Sequence, residues 1–274
     1  MPSPNQITVP QLARLLGTPS MPVLIDVRID DDVDAHPGFL PTARRCPHHD
    51  LDGLLALAAG ERVVVYCHMG RKLSQGAAAL LRNAGITAEV LEGGWMGWRE
   101  QDWPVVPAQY VPVDATDSGS LWVTRQRPKV DRVACAWLIR RFVDRHARFL
   151  MVPTEDVTLV AERFDAIPFD VDGVFFTHRG EHCTFDAMLE EFGLHSDALR
   201  QLALMVRAAD TDRLELVPQA PGLLAASLGL SRMYRDDLQQ IEAGLGLYDA
   251  FYRWARDATE ETHAWPHATR GQSS

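Results

Sequence analysis

The chain has 274 residues, 46% hydrophobic and 23% charged, with a formal net charge of −10. That length suits two domains, each burying its own core, and the composition excludes intrinsic disorder. The acidic balance weighs against DNA binding, and no apolar run nears the ~20 residues that cross a bilayer. Residues 1–16 lack the basic stretch and apolar core of a secretory signal, so a cytoplasmic location without membrane contact is expected. The four cysteines, at positions 46, 67, 135 and 183, show no Cys-x-x-Cys spacing, so neither a disulfide framework nor a zinc ribbon is indicated.

Along the chain, residues 23–27 and 62–66 are continuous apolar runs, as expected of strands buried on both faces. Residues 51–60 and 73–85 follow them as helical patterns that each close with a glycine, and residues 88–90 form another short strand. Strand–helix alternation predicts a parallel-sheet α/β domain over residues 1–108. Residues 109–120 read as a linker, and the texture then changes. A mostly α-helical domain with a few short strands is predicted over 121–258, followed by a tail over 259–274. Its helices are expected at 131–146 and at 234–257, with a strand at 174–177. The last helix carries Leu238, Ile241, Leu245, Tyr248, Phe251 and Ala255 as an apolar stripe, read as core.

Cys67 follows the strand at 62–66 directly and precedes a helix beginning near Lys72, with Cys67-His68-Met69-Gly70-Arg71-Lys72 between. A thiol at the C-terminal end of a parallel strand lies where ligands bind in open α/β sheets. The following helix turns its amides and positive dipole end toward the loop, and Arg71 and Lys72 add two cations. Each effect favours the thiolate. Gly70 lets the loop wrap so that successive amides converge on an anion. Taken alone, Cys-x-x-Gly leaves a reactive thiol and a buried structural cysteine evenly weighed. Cys46 lies in RRCPHHDL, where Cys, His48 and His49 are too close in sequence to surround one ion; an exposed loop is expected there.

Four motifs in order make residues 1–108 resemble the rhodanese family. They are Leu24-Ile25-Asp26-Val27-Arg28; the segment from Phe39 through Arg44; the six-residue loop from Cys67; and Leu91-Glu92-Gly93-Gly94-Trp95-Met96-Gly97-Trp98 followed by Trp103-Pro104-Val105. The resemblance implies a sulfurtransferase that needs no cofactor. Cys67 takes a sulfane sulfur from thiosulfate or a persulfide donor and passes it to a thiol or cyanide-like acceptor. His68, Met69, Gly70, Arg71 and Lys72 bind the substrate, and Asp26, Arg28 and Trp95 support the loop. Phosphatases and arsenate reductases of related design use a loop one residue longer. Three positions depart from the family pattern: Phe39 stands where it often has His, Thr42 where it often has Gly, and Lys72 where many members carry Arg, which keeps the charge but gives up the bidentate fork.

In the second half, Arg125, Arg127, Lys129 and Arg132 crowd around a helix start. They are a candidate oxyanion site, with Arg125, Lys129 and Arg132 at its centre, weighed against a solvated basic loop with Asp131 as helix cap. His178, Glu181, His182, Cys183 and Asp186, with Asp210 and Asp212, are residue types that bind a transition metal. Arg179-Gly180 reads as a turn, which separates His178 from His182. A metal held by His178, His182, Asp210 and Asp212 therefore needs residues from more than one segment. Cys135 and Cys183 are expected to be buried.

Trp122-Val123-Thr124-Arg125, residues 129–132, residues 136–140, residues 178–185, residues 209–212 and the closing YDAFYRWARDA resemble the C-terminal domain of ChrB-type chromate-resistance proteins. That resemblance implies a link to chromate or other oxidative metal stress. The alternative to turnover is a redox or metal-oxyanion stress sensor or regulator in which the first domain senses or docks.

Overall fold

The computed structural model describes residues 5–111 and 119–261. The first unit contains, in chain order, β1 (Gln6–Ile7), α1 (Val9–Ala13), β2 (Val23–Asp26), α2 (Asp30–Ala35), β3 (Gly38–Phe39), β4 (Arg44–Arg45), α3 (Leu51–Ala58), β5 (Val63–Tyr66), α4 (Lys72–Asn83), β6 (Ala88–Leu91), α5 (Gly94–Glu100) and β7 (Val106–Pro107). Five strands form a parallel sheet in the order β1-β6-β5-β2-β4, so β5 is central. Every residue of β2 and β5 is buried, as the apolar runs require of strands covered on both faces.

The second unit contains β8 (Leu121–Arg125), α6 (Val130–Leu138), β9 (Arg148–Val152), α7 (Val157–Phe164), β10 (Ile167–Pro168), α8 (Thr184–Glu191), α9 (Asp197–Asp210), α10 (Ala220–Met233) and α11 (Asp237–Asp257). A small parallel sheet, β10-β8-β9, backs the helices. This is the expected pairing of an α/β first half with a mostly helical second half. The two units share one continuous apolar core, which runs from Leu12, Leu16 and Trp98 to Trp137, Phe142 and Tyr252. Gly17, at φ +68°, lets the first unit close on the second: a Cβ there would lie 2.5 Å from the Phe142 ring and 2.6 Å from that of Tyr252. No helix among the described residues is long and apolar enough to cross a membrane.

Several local expectations are corrected. The helix expected at 131–146 starts at Val130, with Lys129 rather than Asp131 as its cap, and widens after Leu138 into a π-helical turn over Ile139–Val143. It ends because Asp144 leaves helical geometry to accept from the Ser120 hydroxyl (2.8 Å) and the His146 amide (3.0 Å). Residues 174–177 form a turn, not a strand; only Phe176 bridges, to Phe169. Asp170 (φ +53°) and Gly173 (φ +80°) fold this segment back, so that the Asp170 amide donates to the Phe176 carbonyl (2.9 Å). In the expected linker, Tyr110 packs on Phe176 and Phe192 and donates to Glu191 (3.0 Å), while residues 112–118 lie outside the described residues. Most of the tail, residues 262–274, lies outside them too. Leu238 is 48% exposed, whereas Ile241, Leu245, Tyr248 and Ala255 of the same stripe are buried. Cys46 is buried, 1% exposed, under α3; burial, then the Asp50 carboxylate, push its thiol up to about 11.

Candidate active site at the end of the central strand

Cys67 leaves the C-terminal end of β5, and α4 begins five residues on at Lys72. Between them the chain curls around the sulfur. The Arg71 amide donates to Cys67 Sγ (3.3 Å), and the Ser74 hydroxyl, in the first turn of α4, lies 3.2 Å from it while also contacting the Arg71 carbonyl (3.2 Å). Burial, the largest single influence, pushes the thiol pKa up. Hydrogen bonds from the Ser74 hydroxyl and from the Ser74, Arg71 and Met69 amides outweigh it, and the net shift is downward from the ordinary cysteine value. The cradle therefore favours sulfur as an anion at 5% exposure.

The loop is clamped from outside. The Trp95 amide donates to the Cys67 carbonyl and the Met96 amide to the His68 carbonyl, both at 3.0 Å. Gly70 (φ +64°) and Gly94 (φ +59°) make this approach possible: a Cβ on Gly94 would sit 2.2 Å from the Cys67 carbonyl oxygen and 2.3 Å from the Gly70 nitrogen. His68 stacks near the Trp95 ring (6.2 Å, 10°), with His36 against both.

Beneath lies a fully buried ion pair. Arg28 Nε donates to Asp26 Oδ2 (2.7 Å), and its terminal nitrogens donate to the carbonyls of Gly38 (2.6 Å) and His36 (3.2 Å). The guanidinium is sandwiched by the Trp95 ring (5.1 Å) and the Phe39 ring (5.3 Å). Phe39 thus supplies a cation–π face at the position where the resembled family often has His. Thr42, where that family often has Gly, adopts φ +65°, a conformation that costs a non-glycine residue on the order of 1–3 kcal/mol. Its amide donates to the Phe142 carbonyl of the second unit (3.1 Å).

Of the expected site residues, Asp26, Arg28, His68, Met69, Gly70, Arg71 and Trp95 gather with Cys67. Arg71 reaches the sulfur through its backbone amide, and the Arg71 and Lys72 side chains are exposed at the helix start. Sequence reasoning missed Ser74 and His36. Ser74 lies two residues beyond the loop, in the first turn of α4, a spacing that carried the signal; nothing in the sequence connects His36 to the loop. Ser74→Ala removes the largest of the influences that lower the thiol pKa. The midpoint of Cys67 alkylation against pH is expected to move upward in that variant, with its limiting rate at high pH little changed. An unmoved midpoint would show that the amides alone hold the thiolate.

In the second unit the candidate residues rearrange. Arg132 Nε pairs with Asp170 (2.7 Å), and its Nη1 donates to the carbonyls of Arg125, Gln126 and Arg127. Arg125 approaches Asp170 at 3.6 Å, and Arg127 turns to Asp237 and the Ser231 carbonyl. Lys129 is exposed, while Arg125 and Arg132 are engaged with Asp170 and Arg127 with Asp237. His182 and Asp212 are exposed, and His182 is turned away through the Arg179–His182 bridge at Gly180. His178 instead meets three carboxylates: Nε2 lies 3.4 Å from Asp170, 3.5 Å from Asp131 and 3.6 Å from Asp210. Asp131 and Asp170, first the Asp131 contact, raise His178 to about 10. Burial, then the Asp131 and Asp170 charges, raise Asp210 to about 6. Cys135 and Cys183 are buried and held well above the usual thiol range, chiefly by that burial.

Residues 8–101 match the family described as Rhodanese-like domain, and residues 122–255 match the family described as ChrB, C-terminal domain. Protein ChrB of Cupriavidus metallidurans is 42% identical over 148 residues, a match spanning 53% of this chain and 42% of that relative's length. Among solved structures, a rhodanese-like domain protein from Staphylococcus aureus is 29% identical over 34% of this chain and 90% of its own, with TM-score 0.30. The human single-domain sulfurtransferase TSTD1 is 27% identical over 36% of this chain and 99% of its own, also with TM-score 0.30.

Proposed function

Because this chain carries a rhodanese-like domain at residues 8–101 and a ChrB C-terminal domain at 122–255, we propose that it is a sulfurtransferase acting through a persulfide on Cys67, in the service of chromate or other oxidative metal stress. What carries the reading is a thiol at the end of the central strand on which the Arg71 amide (3.3 Å) and the Ser74 hydroxyl (3.2 Å) converge.

The Cys67 thiolate attacks the outer sulfur of thiosulfate. The sulfur–sulfur bond of the donor breaks, its electron pair leaves with sulfite, and a Cys67 persulfide forms. A thiolate or cyanide then attacks the terminal sulfur, and the pair in the breaking bond returns to Sγ, regenerating the thiolate without an external oxidant or reductant. A persulfide donor follows the same course with a thiolate as leaving group. The amides and hydroxyl that cradle Sγ also suit the terminal persulfide anion, and Arg71 and Lys72 at the loop mouth attract an anionic donor.

Turnover is the test. Steady-state transfer from thiosulfate or from a small-molecule persulfide to cyanide or a thiol is expected to saturate with donor. The alternative is a sensor whose Cys67 is modified once and not regenerated. Stoichiometric modification without turnover, across both donor classes, would replace the enzyme reading with that one.

A further inference from the structure

The geometry points to a divalent first-row metal site in the second unit, with His178, Asp131 and Asp170 as ligands and Asp210 beside them, distinct from the Cys67 chemistry. The ligand atoms of His178, Asp131 and Asp170 all lie within 4.8 Å of one another. They come from separate places in the chain: Asp131 from the first turn of α6, Asp170 from just past β10, His178 from the following turn and Asp210 from the end of α9. The fold thus delivers four ligand-type side chains to one point.

The spacing is the decisive feature. His178 Nε2 stands 3.4–3.6 Å from an oxygen of each of three carboxylates. Hydrogen bonds from nitrogen to oxygen run about 2.7–3.2 Å, so all three are too long, and one ring N–H serves only one acceptor. Metal–ligand bonds of about 2.0–2.2 Å in a tetrahedron place neighbouring ligand atoms about 3.3–3.6 Å apart. The three distances from His178 Nε2 match that spacing.

The carboxylates are held as ligands are held. Asp131 is 1% exposed and accepts from the Thr184 and Phe185 amides at the start of α8, both at 2.9 Å. Asp170 is 4% exposed, accepting from the Thr184 hydroxyl (3.0 Å) and pairing with Arg132. These partners fix the orientation of both groups and leave lone pairs over for a metal. Two guanidiniums, Arg132 at 2.7 Å and Arg125 at 3.6 Å, face Asp170 from the other side.

A cavity of about 360 Å³, lined by Arg125, Thr154, Asp170, Asp172, Thr177 and His178, opens beside the cluster. It gives an ion a route from solvent and leaves room for water or a small oxygen ligand. Imidazole with carboxylates, and no thiolate, suits Mn²⁺, Fe²⁺ or Zn²⁺.

Mn²⁺ is the probe of choice because it competes poorly for the Cys67 thiolate. The chelator-treated full chain is titrated with Mn²⁺, and free ion is counted by its solution EPR signal. Saturable binding of one Mn²⁺ per chain is expected in the wild type and in Cys67→Ser. His178→Ala is expected to weaken binding by more than the roughly 10–100-fold that loss of an outer partner costs, and Asp210→Asn by less than His178→Ala. Paramagnetic broadening of the His178 ring signals in the wild type gives the same answer without relying on a variant's folding. Absence of saturable binding, undiminished binding in a folded His178→Ala, or unbroadened His178 signals at saturation would each overturn the site and leave an ion-pair network in its place.

Discussion

Cys67→Ser is expected to abolish sulfur transfer, lowering kcat/KM by on the order of 10⁴-fold or more, the scale on which removal of a covalent nucleophile acts. A hydroxyl in this cradle keeps the hydrogen bonds to Arg71 and Ser74 that Sγ makes, so the loop retains its shape. Its oxygen, however, is far less ionised at neutral pH than a thiol and is a poor nucleophile toward a sulfane sulfur. The expected signature is therefore loss of rate with an unchanged thermal midpoint. Cys46→Ser, Cys135→Ser and Cys183→Ser remove thiols held above the usual range by burial, and these are expected to leave rates intact wherever the variants fold. Turnover surviving in Cys67→Ser would place the chemistry elsewhere.

Arg28→Ala is expected to be the most destabilising single charge removal in the first unit, at about 3–5 kcal/mol in urea-induced unfolding. Both side chains of the Asp26–Arg28 pair are 0% exposed, so the variant strands a carboxylate in the core. It also frees the carbonyls of His36 and Gly38 and empties the space between Phe39 and Trp95. Arg28→Lys keeps a charge but lacks the planar fork, and falls between wild type and Arg28→Ala. The double change Asp26→Asn with Arg28→Met removes both charges, and is expected to cost less than Arg28→Ala alone. If the double variant costs the sum of the singles, the penalty lies in packing rather than in the stranded charge. Because Trp95 clamps the Cys67 carbonyl through its amide, sulfur transfer is expected to fall in Arg28→Ala even at temperatures where it remains folded.

The Cys67 site was legible because its parts are nearly contiguous: an apolar strand, a six-residue loop and a helix start fall within a single stretch of sequence. Asp26, Arg28 and Trp95 became legible through motif order. Ser74 escaped because it lies seven residues from Cys67, past the end of the loop and inside α4. The second unit resisted for a different reason. Asp131 in isolation is a helix-start aspartate like any other, and only tertiary packing brings Asp170 and Asp210 to His178. Spacing arguments pair His178 with His182, its near neighbour, but the turn at Gly180 separates them. The apolar residues 174–177 read as a strand, yet Asp170 and Gly173 in left-handed conformations bend the segment into a turn, leaving Phe175 57% exposed. Periodicity reports burial along one element; it does not report which elements meet.

The most direct test is intact-protein and peptide mass spectrometry of the wild-type chain after brief exposure to thiosulfate under non-reducing conditions. The account predicts the added mass of one sulfur atom, located on the Cys67 peptide, stable in the absence of an acceptor and removed by cyanide or a thiol. No adduct with thiosulfate or with a persulfide donor, or an adduct confined to Cys46, Cys135 or Cys183, would contradict it.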